Sequence, residues 1–446
     1  MRIVRGIYIM KEKFSELKKF NWRLWISLCS LALIPAIYQT VKTFLISSNG
    51  AEGVFDIIGQ MEWFDLINET LQAFLIVPLY SILNKILTNH KENFAGNVFK
   101  TGLVSFVLYT LFSVGVLIYG SVLVRAMNPD KADLTVTTAY LMLETVAFMI
   151  GIIVSFVNVV FVVLGKDKNV YILLGIRTVL SLIADFILIP AFDVYGVAVS
   201  NIVVNLILAV SCILILFFGK SLTFCRFAKS DLAMFFEWGK VGTFSGLQQF
   251  IDNFIYAVMV CKMVNMVAEQ GNYWIANNFI WGWLLIPITA LAEVIRSDCK
   301  NGYKKLKQFN YYFLAGAVIL LWAITIPLWT PFFRYAQNLQ NAGEIFLIVI
   351  KLVPFYIAYT GCAIIDNIFV GLGKTVYNTV NSLIINLGYY GVFYVLYKTN
   401  TVVFNMNTII IMFGLGMVVH LIVSVIEEKC FFKRKETIAP TEGISN

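Results

Sequence analysis

Phe161-Val162-Val163-Leu164-Gly165-Lys166 returns 208 residues later as Phe369-Val370-Gly371-Leu372-Gly373-Lys374. Each copy closes a long apolar run, and each ends in the same Gly-Lys pair. Glycine stops a helix because it enters the left-handed region without steric penalty, and a lysine beside it complements the negative end of the helix dipole. A second pair, Phe74-Leu75-Ile76-Val77-Pro78 and Trp283-Leu284-Leu285-Ile286-Pro287, is displaced by 209. Two separate matches at nearly one offset predict a chain built from two related halves.

The apolar runs around these matches set the scale of the repeat. Of 446 residues, 59 % are hydrophobic and 13 % charged, with a mean hydropathy of +0.80. A soluble chain carries about 25 % charged residues. Half that fraction leaves too little polar surface for water, so lipid is the main solvent. Runs long enough to cross a bilayer (about 18 residues or more) fall near 24–46, 57–84, 101–124, 136–164, 170–191, 195–218, 241–265, 273–295, 310–332, 346–371, 376–397 and 403–426. The matched segments pair the second run with the eighth and the fourth with the tenth. Six is even, so the halves share one orientation: a parallel repeat about the membrane normal, an architecture used by secondary transporters. The expected fold is therefore an all-α polytopic membrane protein, with 12 transmembrane helices in two parallel pseudo-symmetric six-helix bundles around a central cavity.

Charge fixes the orientation. With twelve spans, 26 of the 34 Lys and Arg fall on the side of the termini, six on the other and two, Lys42 and Arg177, inside spans. Positive loops stay inside, which places both termini in the cytoplasm of a cell-membrane protein. The net charge of +8 is thus a topology signal, and no nucleic-acid partner is expected. The expected organisation is an interfacial segment over 1–23, a lobe over 24–218, a linker over 219–240, a second lobe over 241–426 and a partly disordered tail over 427–446. Ile7, Met10, Phe14, Leu17 and Phe20 recur at helical spacing among lysines, as in a helix lying on the inner leaflet. No cleaved signal peptide is expected, because the first apolar run is long enough to span and lacks a small-residue cleavage site.

The seven cysteines are scattered without CxxC spacing and only His90 and His420 supply imidazoles. Neither a histidine pair nor a cysteine cluster can be read from this spacing, so no resident metal or cofactor is expected. No nucleophile–base pair or phosphate loop suggests an enzyme.

The chemistry is instead in the intramembrane charges, which are costly in lipid and normally face a partner or an ion. The second run carries Glu62, Asp65 and Glu69 on one helical face; Glu144, Arg177, Asp185, Asp252 and Asp366 follow in later runs. Glu62 and Asp65 either sit solvated at the outer mouth or line the path. Lys42 either locks the bundle by neutralising a carboxylate or meets substrate, and Arg177 either snorkels or does the same. Glu69, Asp185, Asp252 and Asp366 lie several residues from either interface. They are the candidates for coupling to a proton or to a transiently bound sodium, for which Asp185 and Asp366 are the expected holders. Gln248, Gln249, Asn253 and Asn278 complete the polar candidates for the cavity.

Over residues 181–201, Ser181-Leu-Ile-Ala-Asp185-Phe-Ile-Leu-Ile189 followed by Gly196-Val-Ala-Val-Ser200-Asn201 resembles the signature of MATE (multidrug and toxin extrusion) transporters of the MOP flippase/exporter superfamily. Pro35, Tyr140 and the two Leu-Gly-Lys segments support the resemblance, which extends in spacing over most of the chain. It implies two six-helix bundles in a V around a central cavity, and proton- or sodium-driven export of organic, typically cationic, compounds. It puts Asp185 on the family's fifth-helix coupling aspartate, Asp366 on the tenth-helix acid and Asp252 near the seventh-helix acid. The sequence departs from the family where Lys42 is the only charge in the first helix, where Ser181 replaces an asparagine, and where Asp65 and Glu69 are added. The expected function is a secondary active exporter, a MATE-like antiporter that moves a small organic or amphipathic compound by alternating access. The partners expected are membrane lipid and a small-molecule substrate, with the chain as a monomer. A flippase for a lipid-linked sugar or amphipathic metabolite is the alternative within transport, and a non-transporting membrane receptor or scaffold the alternative outside it.

Overall fold

The computed structural model describes residues 17–18, 20–49, 53–129, 134–229, 231–300 and 305–438, and among them every regular element is helical. Most of the expected interfacial segment, and the tail beyond 438, lie outside these residues. The helices are α1 (Trp22–Asn49), α2 (Val54–Asn89), α3 (Lys91–Met127), α4 (Thr135–Val163) and α5 (Asp167–Phe218). They continue with α6 (Asp231–Tyr256), α7 (Gln270–Leu284 with Ile286–Lys300), α8 (Lys307–Ala336), α9 (Ala342–Gly371), α10 (Val376–Lys398) and α11 (Met406–Ile438).

Among the described residues, eleven helical rods cover the twelve expected runs because α5 holds two. Its 52 residues would reach about 78 Å at 1.5 Å per residue, more than twice the roughly 30 Å hydrocarbon core. The chain breaks at Asp193, which has φ 55 and ψ −133. Gly196 is required just beyond, where a Cβ would lie 2.2 Å from the Leu188 carbonyl oxygen. The expected spans 170–191 and 195–218 flank this break. α6 continues through Ala257–Cys261 to Met266 and supplies the seventh span, although it is more polar than its neighbours. It also begins at Asp231, so the linker expected over 219–240 is shorter, and α11 is helical to Ile438. Exposed apolar residues such as Leu111, Ile118, Phe186, Ile187, Ile324 and Leu328 face outward, as a lipid-solvated surface requires.

The repeat is visible in the backbone. At the end of α4 the Gly165 N–H bonds to the Val162 carbonyl and the Lys166 N–H to that of Phe161, with φ +66 at Gly165. At the end of α9 Gly373 bonds to Val370 and Lys374 to Phe369, with φ +67 at Gly373. Both are Schellman caps, which satisfy the last carbonyls of the helix. The second match marks a break in each half. α2 interrupts at Ile76, two residues before Pro78, and α7 bends by 51° at Leu285, two before Pro287. Proline has no N–H to donate, so a carbonyl in the preceding turn loses its partner. In both halves a tryptophan relieves this region: the Trp238 indole donates to the Leu75 carbonyl at 3.0 Å, and that of Trp322 to the Leu284 carbonyl at 2.9 Å. Leu75 and Leu284 are equivalent under the 209-residue offset. The tryptophans come from α6 and α8 and are not equivalent.

Two compact units result, residues 37–275 with 336–339, and residues 1–36 with 276–335 and 340–446. Their limits do not follow the two halves. The second half's first helix, α6, belongs to the first unit, and the start of α1 to the second; that boundary lies one residue past Pro35. α6 joins α2 through hydrogen bonds from Trp238, Ser245 and Asn253 to the carbonyls of Leu75, Ala73 and Leu66. Gly242 and Gly246 let the backbones meet: a Cβ there would lie 2.4 Å from the Phe74 carbonyl oxygen and 2.4 Å from its ring. Small residues four apart are how helices approach closely in lipid, where hydrophobicity does not drive them together.

Candidate functional site

In the first unit the charges gather on α1, α2, α4 and α5. Asp185 is fully buried, and the Tyr38 hydroxyl donates to its Oδ2 at 2.7 Å. Its Oδ1 has no hydrogen-bond partner among the described residues. One helical turn along α1 from Tyr38, Lys42 is buried with its Nζ 5.9 Å from the centroid of the Tyr38 ring, within electrostatic reach of Asp185 and Glu144. Glu144 is also buried; its Oε1 accepts from the Tyr140 hydroxyl at 3.1 Å and from the Asn201 amide at 2.8 Å. Asp65 interacts electrostatically with Glu144, Glu62, Glu69 and Lys42, so the acids of α2 belong to the same group. Asp65 and Glu69 are exposed although mid-helix. A carboxylate is costly in lipid, so these two side chains require a polar surrounding. Arg177 is exposed as well, within electrostatic reach of Tyr38.

The α6 candidates divide. Asn253 is committed to packing: its amide donates to the Leu66 carbonyl at 2.9 Å and to Thr70 Oγ1 at 3.1 Å, while it accepts from Gln249 at 3.0 Å. Gln248 and Asp252 are half-buried on the same helix.

The second unit has its own acid. Asp366 on α9 meets the His420 Nε2 of α11 at 2.9 Å through Oδ2, and its Oδ1 accepts from Ser424 Oγ at 2.9 Å. Fully buried Asn381 on α10 donates to Ser424 at 2.7 Å, and the Asn378 amide donates to the Asp366 carbonyl at 3.1 Å. Cys362, one turn before Asp366, brings its Sγ to the same place. Nearby, the Arg296 Nε donates to Asn367 Oδ1 at 2.5 Å and its Nη1 pairs with Glu293 at 2.7 Å. Asn278 on α7 holds a buried Nδ2 with no partner among the described residues.

The structure therefore assembles Asp185, Glu144, Lys42, Asp65 and Glu69 into one group, with Asn253 of α6 reaching Glu69, and Asp366 into another; Gln248 and Asp252 are half-buried elsewhere on α6. Tyr38, His420, Ser424 and Cys362 were not among the residues that the sequence singled out. Tyrosine and serine are too common in spans to carry a signal, and residues on different helices have no spacing to read.

The whole arrangement can be compared with solved structures. An inward-facing multidrug resistance MATE family transporter of the MOP superfamily superposes with a TM-score of 0.74 at 15 % identity, covering 93 % of this chain and 99 % of that one. The fold is that of the MATE transporters. An outward-facing MATE structure matches at TM-score 0.65 and 14 % identity, over 93 % of this chain and 97 % of that one. A MOP superfamily transporter from Pyrococcus furiosus Vc1, described as having a binding pocket of reversed polarity that suggests a different function, matches at 0.64 and 16 %, covering 92 % and 95 %. No family model and no curated protein matches the sequence. On the MATE fold, the 181–201 segment that carried the sequence resemblance is the α5 break together with buried Asp185.

Proposed function

We propose that this chain is a secondary active exporter that moves a small organic or amphipathic compound out of the cell by alternating access, driven by a proton or sodium gradient. The observation that carries the reading is the state of Asp185 on this fold: a fully buried carboxylate with Oδ2 held by Tyr38 and Oδ1 left open. An open carboxylate oxygen in low dielectric is a place for a proton or a hard cation. Occupancy there changes the charge balance with Lys42 and Glu144, and so biases one state over another. Glu69, Asp252 and Asp366 are the further coupling candidates. Lys42, Asp65, Glu144, Arg177, Gln248, Gln249, Asn253 and Asn278 are those for the substrate path. Both termini are proposed to be cytoplasmic, and the chain to act as a monomer without a cofactor.

The test is reconstitution in liposomes with proton and sodium gradients imposed separately, against cationic, zwitterionic and anionic compounds. Asp185→Asn is expected to abolish gradient-driven flux in a folded protein; unimpaired flux overturns the assignment. A second reading, a flippase for a lipid-linked sugar or another amphipathic metabolite, is favoured by the two intramembrane cations Lys42 and Arg177, which suit a phosphate. It predicts translocation of a fluorescent phosphate-bearing lipid that Lys42→Gln stops. A scaffold predicts neither flux.

A further inference from the structure

Cys362 Sγ, an Asp366 carboxylate oxygen and a His420 ring nitrogen all lie within 4.8 Å of one another. This group goes beyond the proposed transport reaction, because its chemistry differs from that of the open carboxylate at Asp185. A thiol and an imidazole are poor ligands for sodium, which takes oxygen donors. Together with one carboxylate they form a mixed soft and borderline set of the kind that selects Zn²⁺ over Mg²⁺ or Ca²⁺.

We propose that Cys362, Asp366 and His420 form a binding site for a single Zn²⁺-class transition-metal ion, with three protein ligands and a fourth position open.

Geometry, charge and support all favour this. Bonds of about 2.3 Å to sulfur and about 2.0–2.2 Å to nitrogen and oxygen separate tetrahedral ligand atoms by about 3.3–3.6 Å. The Asp366 Oδ2–His420 Nε2 distance of 2.9 Å has only to open slightly to admit an ion, and the sulfur has to close by about 1.2–1.5 Å at most to reach the tetrahedral separations. A thiolate and a carboxylate neutralise a dication with the imidazole uncharged, so the loaded site carries no net charge into the low dielectric. Cys362 and Asp366 are one turn apart on α9 and His420 is on α11, so the ion would tie two helices of the same unit. The ligands are held from outside as metal ligands usually are: Ser424 donates to Asp366 Oδ1, and Asn381 donates to Ser424. Cys362 is fully buried, whereas Asp366 and His420 are partly exposed at 19 % and 32 %, which leaves an entry side. Glu427 lies within electrostatic reach of Asp366 and His420.

The test uses the untagged, full-length protein in detergent, titrated with Co²⁺ as a spectroscopic stand-in and then with Zn²⁺ in competition. The expected result is one equivalent of Co²⁺ with tetrahedral visible bands and a thiolate-to-cobalt charge-transfer band, both displaced by Zn²⁺. Cys362→Ser removes the charge-transfer band, and His420→Gln and Asp366→Asn each weaken binding. Each should exceed the roughly 10–100-fold loss expected for Ser424→Ala, which removes only an outer partner. Thermal melting without metal checks that each variant is folded. Absence of the charge-transfer band from the unsubstituted protein, or its persistence in folded Cys362→Ser, overturns the proposal. These readouts do not use flux, so they stand or fall apart from the transport assignment.

Discussion

At Gly165 and at Gly373 the chain makes the same turn with the same hydrogen bonds, yet two turns back along the helices the halves diverge. Where α9 carries Cys362 and Asp366, the equivalent positions of α4, at an offset of 208, are Val154 and Asn158. Where α5 buries Asp185, the corresponding stretch of α10 is apolar, Val392 and Phe393. Lys100 forms a buried ion pair with Asp231 at 2.8 Å, while its counterpart Gln308 bonds Glu428 at 2.5 Å. The comparison teaches that the two halves share what ends and breaks their helices and differ in where they place charge. Caps and proline breaks follow from local backbone needs that every copy shares. A buried charge depends on partners from other helices, and can be moved once those partners change.

The largest effect should separate the acids of the two units. Asp185→Asn is expected to abolish gradient-driven flux, and Asp366→Asn to reduce it while also weakening metal binding. Equal loss in both, with no metal phenotype, would erase the distinction drawn between them; liposome flux and Co²⁺ titration decide it.

Next comes the ion pair between Lys100 of the first half and Asp231 at the start of α6, which Gln308, the counterpart of Lys100, does not reproduce. Lys100 and Asp231 are 9 % and 12 % exposed, so Lys100→Met leaves a partly buried carboxylate without its cation and should destabilise by about 1–3 kcal/mol. Burial raises the Asp231 pKa, but the Ala228 N–H and then Lys100 outweigh it, and the carboxyl lies below its usual range. A depressed folded-state pKa gives stability that is present above the unfolded value, near about 3.9, and is lost as pH falls through the folded value. Melting temperature against pH should therefore fall less steeply at the acid end in Asp231→Asn than in the parent.

The α2–α6 contact comes third. Gly246→Leu forces a side chain into the Phe74 ring and should cost about 1–3 kcal/mol, read as a lower melting temperature in detergent; Phe74→Ala should recover part of it. The smallest effect tests the repeat itself. Gly165→Ala and Gly373→Ala each put a Cβ on a left-handed residue at φ +66 or +67, for about 1–2 kcal/mol. The two losses should match, and a large difference would show that the caps are alike in geometry but not in energetic role.

Much of this was legible without coordinates. The spans, the even offset and the helix stops at Gly165 and Gly373 are carried by local composition, and the structure places all of them. The break in α5 was readable as the gap between two apolar runs, though not its left-handed residue at Asp193. The charged residues were also visible, because a carboxylate in an apolar run stands out. Their grouping was not. Lys42 facing both Asp185 and Glu144 involves three helices, and the Cys362–Asp366–His420 group was hidden because a search for paired histidines or clustered cysteines misses a mixed trio.

The sequence by itself determined that this chain is a membrane-spanning helical duplication, because lipid imposes an apolar length on every span and each helix must end by local rules. Only the tertiary structure decided which unit each helix joins and which charges meet. Those outcomes rest on close approaches such as Gly246 against Phe74 and Tyr38 against Asp185, between residues 172 and 147 positions apart. No local pattern encodes a contact over that distance; it exists only when the packed helices bring the partners together.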